Sequence, residues 1–158
     1  MIRSDIRQDE REVARLEQFT LTVPKEAFAQ GKEPELSQRS AEFATDEEAW
    51  AAVNIDPRYI ILSKKFQFAP EEWPDNDQMM RTLKQKLSAG DKLTLNVFNK
   101  PAAPNTPGFG KDPELAGTAD IEIAGFADTN TGMEFYNMMF VHPEIADKFR
   151  AEGFRWSI

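Results

Sequence analysis

Tyr59-Ile60-Ile61-Leu62 is the stretch from which the fold is read. Successive side chains of a β-strand point to opposite faces of its sheet, so four apolar residues in a row leave neither face for water. The run therefore reads as a central strand. It continues through Ser63, Lys64 and Lys65 to Phe66 and Phe68, so it is expected to end at a rim.

Three other stretches are strands of a different kind. Phe19-Thr20-Leu21-Thr22-Val23, Leu93-Thr94-Leu95-Asn96-Val97 and Ala119-Asp120-Ile121-Glu122-Ile123 alternate with period two. Such alternation buries one face and wets the other. The wet face would carry Thr20, Thr22, Thr94, Asn96, Asp120 and Glu122. A further segment, Met133–Val141, is apolar on both sides, with Phe135, Met139 and Val141 on one and Tyr136, Met138 and Phe140 on the other. The turn-rich Asp128–Gly132 before it predicts a hairpin with the preceding strand.

Helices are expected between these strands. Thr45-Asp-Glu-Glu48 has the capping-box form and opens a helix with Trp50 and Val53 facing inward. Asp75 or Asp77 would cap a second, with Met79 or Met80, Leu83 and Leu87 on one face and Gly90 as its left-handed stop. Pro143 suits a first helical turn, Ile145 and Phe149 lie four apart, and Gly153 follows. Residues 1–16 read as a loosely docked N-terminal helix, since Ile6, Val13 and Leu16 make only a thin stripe. Residues 101–115 form a long Pro/Gly loop, because Pro101, Pro104, Pro107, Pro113, Gly108 and Gly110 break helices and strands. The order predicts one α+β domain over residues 1–158, a mainly antiparallel sheet of about five strands with about three or four helices packed on one face.

Composition narrows the function. Of 158 residues, 41% are hydrophobic and 29% charged, sufficient for a packed core. Nineteen Lys and Arg against 27 Asp and Glu give a net charge of −8, which disfavours a general nucleic-acid coat. With no cysteine and one histidine, His142, there is no disulfide, thiolate metal site, cysteine nucleophile or multi-histidine centre. No cofactor and no metal is expected. No apolar run approaches the roughly 18 residues of a membrane span, and Met1–Glu12 lacks the apolar core of a secretory signal. A cytoplasmic protein without membrane contact is the expectation.

Candidate chemistry is sparse. His142 reads as the cap of the helix at Pro143 in preference to a proton shuttle. Gly108-Phe-Gly110-Lys111 lacks the spacing and context of a phosphate loop, but Phe109 at its tip is a candidate contact. Asp120 and Glu122 would stand side by side on the open sheet face as solvated charge. The acidic segment Glu33, Glu35, Glu42, Asp46, Glu47 and Glu48 is opposed within its span by Arg39 alone. Such a field can steer a basic partner.

The reading that follows is a non-enzymatic acidic protein–protein interaction module, an inhibitor, immunity-type or accessory factor of the kind phages and mobile elements encode. Its contacts are the acidic segment and Phe109, its partner is a protein with a basic surface, and its oligomeric state is left open. One alternative is a single-stranded nucleic-acid binder using Lys64, Lys65, Phe66 and Phe68, cations mixed with stacking aromatics. Another is a carboxylate-based, metal-dependent enzyme, which requires converging acids in a concave site.

Overall fold

Every residue from Tyr59 to Ser63 is buried, and the two faces of their strand enter two different cores. Ile60 and Leu62 pack with Leu21, Leu93, Leu95, Ile121 and Ile123. Tyr59 and Ile61 pack with Ala49, Trp50, Val53, Ala124 and Phe140. Each fully buried Ile or Leu contributes about 1.5–3 kcal/mol relative to exposure. A strand apolar on both faces can realise that gain only when something covers both sides.

A computed structural model of the chain describes residues 3–8, 11–16, 20–67, 81–83, 86–98, 104–107, 110, 115–128 and 138–151. Its strands are β1 (Arg3–Gln8), β2 (Arg11–Leu16), β3 (Thr20–Thr22), β4 (Leu36–Arg39), β5 (Tyr59–Ser63), β6 (Arg81–Leu83), β7 (Lys92–Phe98), β8 (Leu115–Ala127) and β9 (Met138–Phe140). The helices are α1 (Pro24–Ala27), α2 (Asp46–Ile55) and α3 (Pro143–Ala151), with a 3-10 turn at Lys64–Gln67.

The α+β class holds, with three corrections to the architecture. First, helices cover both faces. Ile145 and Ala146 of α3 join the first core, while Ala49, Trp50 and Val53 of α2 join the second. Two-sided burial of β5 requires this. Second, the sheet contains nine strands among the described residues, in the order β3-β9-β5-β8-β7-β1-β2-β6, with β4 also paired to β8. Third, the sheet is mixed. β5 runs parallel to β8, and β3 parallel to β9, within otherwise antiparallel pairings.

Among the described residues the last strand does not pair with β8 as the predicted hairpin required. β8 is flanked by β5 on one side, and by β7 and then β4 along the other. From Gly125 to Ala127, where a hairpin would begin, both edges of β8 are taken. β9, apolar on both faces, lies instead between β3 and β5. It is therefore a central strand of this chain.

Two predicted helices are replaced by strands where their residues are described. Residues 3–8 and 11–16 form an antiparallel hairpin whose first strand adds to β7. A three-residue apolar stripe stabilises a helix little, whereas the edge of β7 offers a ladder of hydrogen bonds. Residues 81–83 pair with β2. The Leu87 N–H donates to the Phe66 carbonyl at 2.8 Å, and Leu87 is buried in the first core. Asp75, Asp77, Met79 and Met80 lie outside the described residues. Gly90 is left-handed as expected, φ +93°, but in the turn entering β7, where its N–H donates to the Ile123 carbonyl at 2.7 Å.

The other helix starts follow the sequence. The Glu48 N–H donates to Thr45 Oγ1 at 3.2 Å, and Ala44 N–H to Glu48 Oε2 at 2.9 Å. Trp50 and Val53 face inward. His142 caps α3, its Nδ1 accepting from the Glu144 N–H at 3.0 Å. In the Pro/Gly loop, residues 104–107 and 110 lie in exposed turns.

Gly125 marks the close approach of β4 to β8. A Cβ there would lie 2.8 Å from the Gln38 carbonyl oxygen and 2.8 Å from Leu36 Cδ1. Gly125→Ala is therefore expected to cost about 1–3 kcal/mol, the usual range for overpacking. Urea unfolding checks it, and an unchanged midpoint would contradict this contact.

Candidate functional site

Helix α2 has two working faces. Ala49 and Val53 are fully buried against the sheet. On its flank Glu47, Trp50, Ala51, Asn54 and Ile55 recur at the three-to-four-residue spacing that aligns side chains along a helix. They form one wall of an open groove of about 800 Å³. Lys25, Phe28 and Glu33, from α1 and the chain after it, line the other side.

The groove floor is fixed by aromatic packing. Phe28 meets Trp50 edge-on with ring centroids 5.7 Å apart, and Trp50 meets Phe140 in the same manner at 5.2 Å. The Trp50 indole N–H donates to the Pro34 carbonyl at 3.0 Å. Such ring pairs hold their geometry beyond simple area burial. At the rim, Ile55 is 75% exposed, the only large hydrophobic residue so open among those described. Asn54 Nδ2 donates to the Trp50 carbonyl at 3.3 Å, but Asn54 Oδ1 is buried without a hydrogen-bond partner.

The acidic segment divides into two groups. Asp46 is occupied internally: its Oδ1 pairs with Arg39 Nη1 at 2.6 Å and its Oδ2 accepts from the Leu36 N–H at 3.0 Å. Glu48 closes the capping box, and Glu42 accepts from the Tyr59 hydroxyl at 2.5 Å. Glu33 and Glu47 instead line the groove, and Glu35 is exposed. The charge available to a partner is thus concentrated at Glu33, Glu35 and Glu47.

Glu122 departs most from its expected setting. It is 2% exposed, not solvated, and its Oε2 is buried without a hydrogen-bond partner. It lies where β8 is flanked by Tyr59 of β5 on one side and Lys92 of β7 on the other. Asp120, two residues earlier, is exposed and accepts from the Thr94 hydroxyl at 3.3 Å. Burial raises the Glu122 carboxyl above its usual range, and a hydrogen bond to Glu42 raises it further. Glu42 is lowered, first by the Tyr59 hydroxyl and then by Glu122. Arg58 Nη2 donates to the Tyr59 hydroxyl at 2.6 Å, completing the cluster. The two shifts run in opposite directions, so a proton taken up by the cluster favours Glu122 over Glu42.

These shifts act on stability in opposite directions. The native state binds the Glu122 proton more readily than the unfolded chain, so stability falls as pH rises from the ordinary carboxylate range through Glu122's raised value. Glu42 contributes above the ordinary value and loses that contribution as pH falls through its lowered one. Glu122→Gln keeps a donor and never ionises. Its melting temperature is expected to exceed the parent's at neutral pH, the gap narrowing as pH drops into the carboxylate range. A gap independent of pH would contradict the raised Glu122 carboxyl.

Of the residues of the nucleic-acid alternative, the structure describes the side chains of Lys64 and Phe66. Their expected strand turns into the 3-10 segment after Ser63, which carries Phe66 into the first core at 0% exposure, so this ring offers no face to a base. Lys64 Nζ pairs with Asp128 Oδ1 at 3.0 Å. The Lys65 side chain, Phe68 and Phe109 lie outside the described residues. Among the described residues no three of His, Asp or Glu converge as a metal site, and no helix is long and apolar enough to cross a membrane.

Sequence reading missed the groove and the Glu42–Tyr59–Glu122 cluster. The spacing of Glu47, Ala51 and Ile55 was available as a signal. Nothing local distinguishes Glu122 from Asp120, because its burial depends on strands distant in sequence. Comparison with protein-family models, curated proteins and solved structures finds no significant match.

Proposed function

We propose that this chain is a non-enzymatic protein-binding module that engages a partner's basic surface through Glu33, Glu35 and Glu47. The division of the acidic segment carries this reading. Asp46, Glu48 and Glu42 are committed to internal bonds, whereas Glu33 and Glu47 flank a groove with an aromatic floor and Glu35, two residues after Glu33, lies exposed. A cluster of charge at the edge of an apolar surface steers and orients a partner of opposite sign. The carboxyl pair has the form of a general acid beside a base, but neither Glu42 nor Glu122 lines the groove. That separation favours binding over catalysis there. An inhibitor, immunity-type or accessory role is the corresponding biological class.

The test is capture from nuclease-treated host extract on the immobilised chain, with partners identified by mass spectrometry. Glu33→Gln/Glu35→Gln/Glu47→Gln is expected to reduce recovery of a basic partner about tenfold, with salt reducing capture by the parent. Equal capture by the triple variant, or loss of all capture on nuclease treatment, would reject the reading.

A further inference from the structure

The groove holds more information than its acidity. Two carboxylates, those of Glu33 and Glu47, stand among its lining residues. Lys25 is the one cationic side chain among the lining residues. Beside the acceptors lie apolar surfaces, Ala51, the Phe28–Trp50 pair and the exposed Ile55. Lys and Arg combine a cationic donor head with a long apolar stem, matching both halves of this lining. The wall from Glu47 to Ile55 extends about 12 Å at 1.5 Å per helical residue, the length of roughly two turns.

We infer that the groove between α1 and α2 seats a short segment of another protein carrying an Arg or Lys beside a large apolar residue. The cation lies toward Glu33 and Glu47, and the apolar residue lies against Ile55 and Ala51. This rests on the binding-module reading above and names the place and chemistry of the contact.

Fluorescence anisotropy with a labelled helical peptide of about 12 residues, bearing adjacent Leu and Arg on one face, tests the assignment. Counterparts with Glu for Arg, or Ser for Leu, are expected to bind about tenfold more weakly. On the protein side, Glu33→Gln/Glu47→Gln and Ile55→Ser should each weaken the parent peptide about tenfold. Glu144→Gln, on α3 across the sheet, should leave binding unchanged, and circular dichroism checks that each variant is folded. Equal affinity for the Glu counterpart, no binding of the Leu/Arg peptide, or indifference to Ile55→Ser overturns the assignment. Sedimentation showing a dimer that Ile55→Ser dissociates would overturn it in favour of a second copy. If capture of a basic partner needs the acidic residues but ignores Ile55→Ser, the groove fails while the module reading stands. Equal capture by the triple acid variant removes both.

Discussion

Burial of β5 on both faces is the constraint from which the architecture follows. Ile60 and Leu62 feed one core, while Tyr59 and Ile61 feed the other. A strand of this kind cannot sit at a sheet edge or under a single helical layer without losing much of its hydrophobic stabilisation. It requires neighbours along both edges, supplied by β8 and β9, and cover on both faces. The parallel β5–β8 pairing places Tyr59 opposite Glu122, so the central strand also brings the carboxyl cluster together.

The same demand sets the position of α2. Its Ala49 and Val53 close the second core, and that anchoring turns the flank bearing Glu47, Ala51 and Ile55 outward. Trp50 belongs to both environments: it is 3% exposed, packs on Phe140 and still contributes to the groove wall. The capping box at Thr45 fixes where the helix starts and therefore where Glu47 stands. Core, helix and groove are one mechanical unit. A binding surface built on such an element loses little order when it meets a partner, which limits the entropic cost of association.

What could be read in the sequence was whatever a local pattern determines. Period-two alternation located β3, β7 and β8, the capping box located α2, and Pro143 located α3. Continuous apolarity identified β5 as central, and left β9 either central or facing a second copy. Errors arose where distant pairing decides the outcome. Residues 3–8 and 11–16 pair as antiparallel strands because β7 has an edge to extend, and no nearby residue encodes that edge. Glu122 looks like Asp120 in a strand pattern, yet one is buried between β5 and β7 and the other is exposed. Within the acidic segment, charge alone could not separate Asp46, tied to Arg39, from Glu47, which lines the groove.

Native-state hydrogen exchange across the sheet tests the two-sided core most directly. Amides of Ile60, Ile61 and Leu62 should exchange only through global unfolding, with denaturant dependence matching that of the whole chain. Exchange of these amides through a smaller opening, with α2 detaching while the rest of the sheet stays protected, would contradict the dependence of the fold on β5.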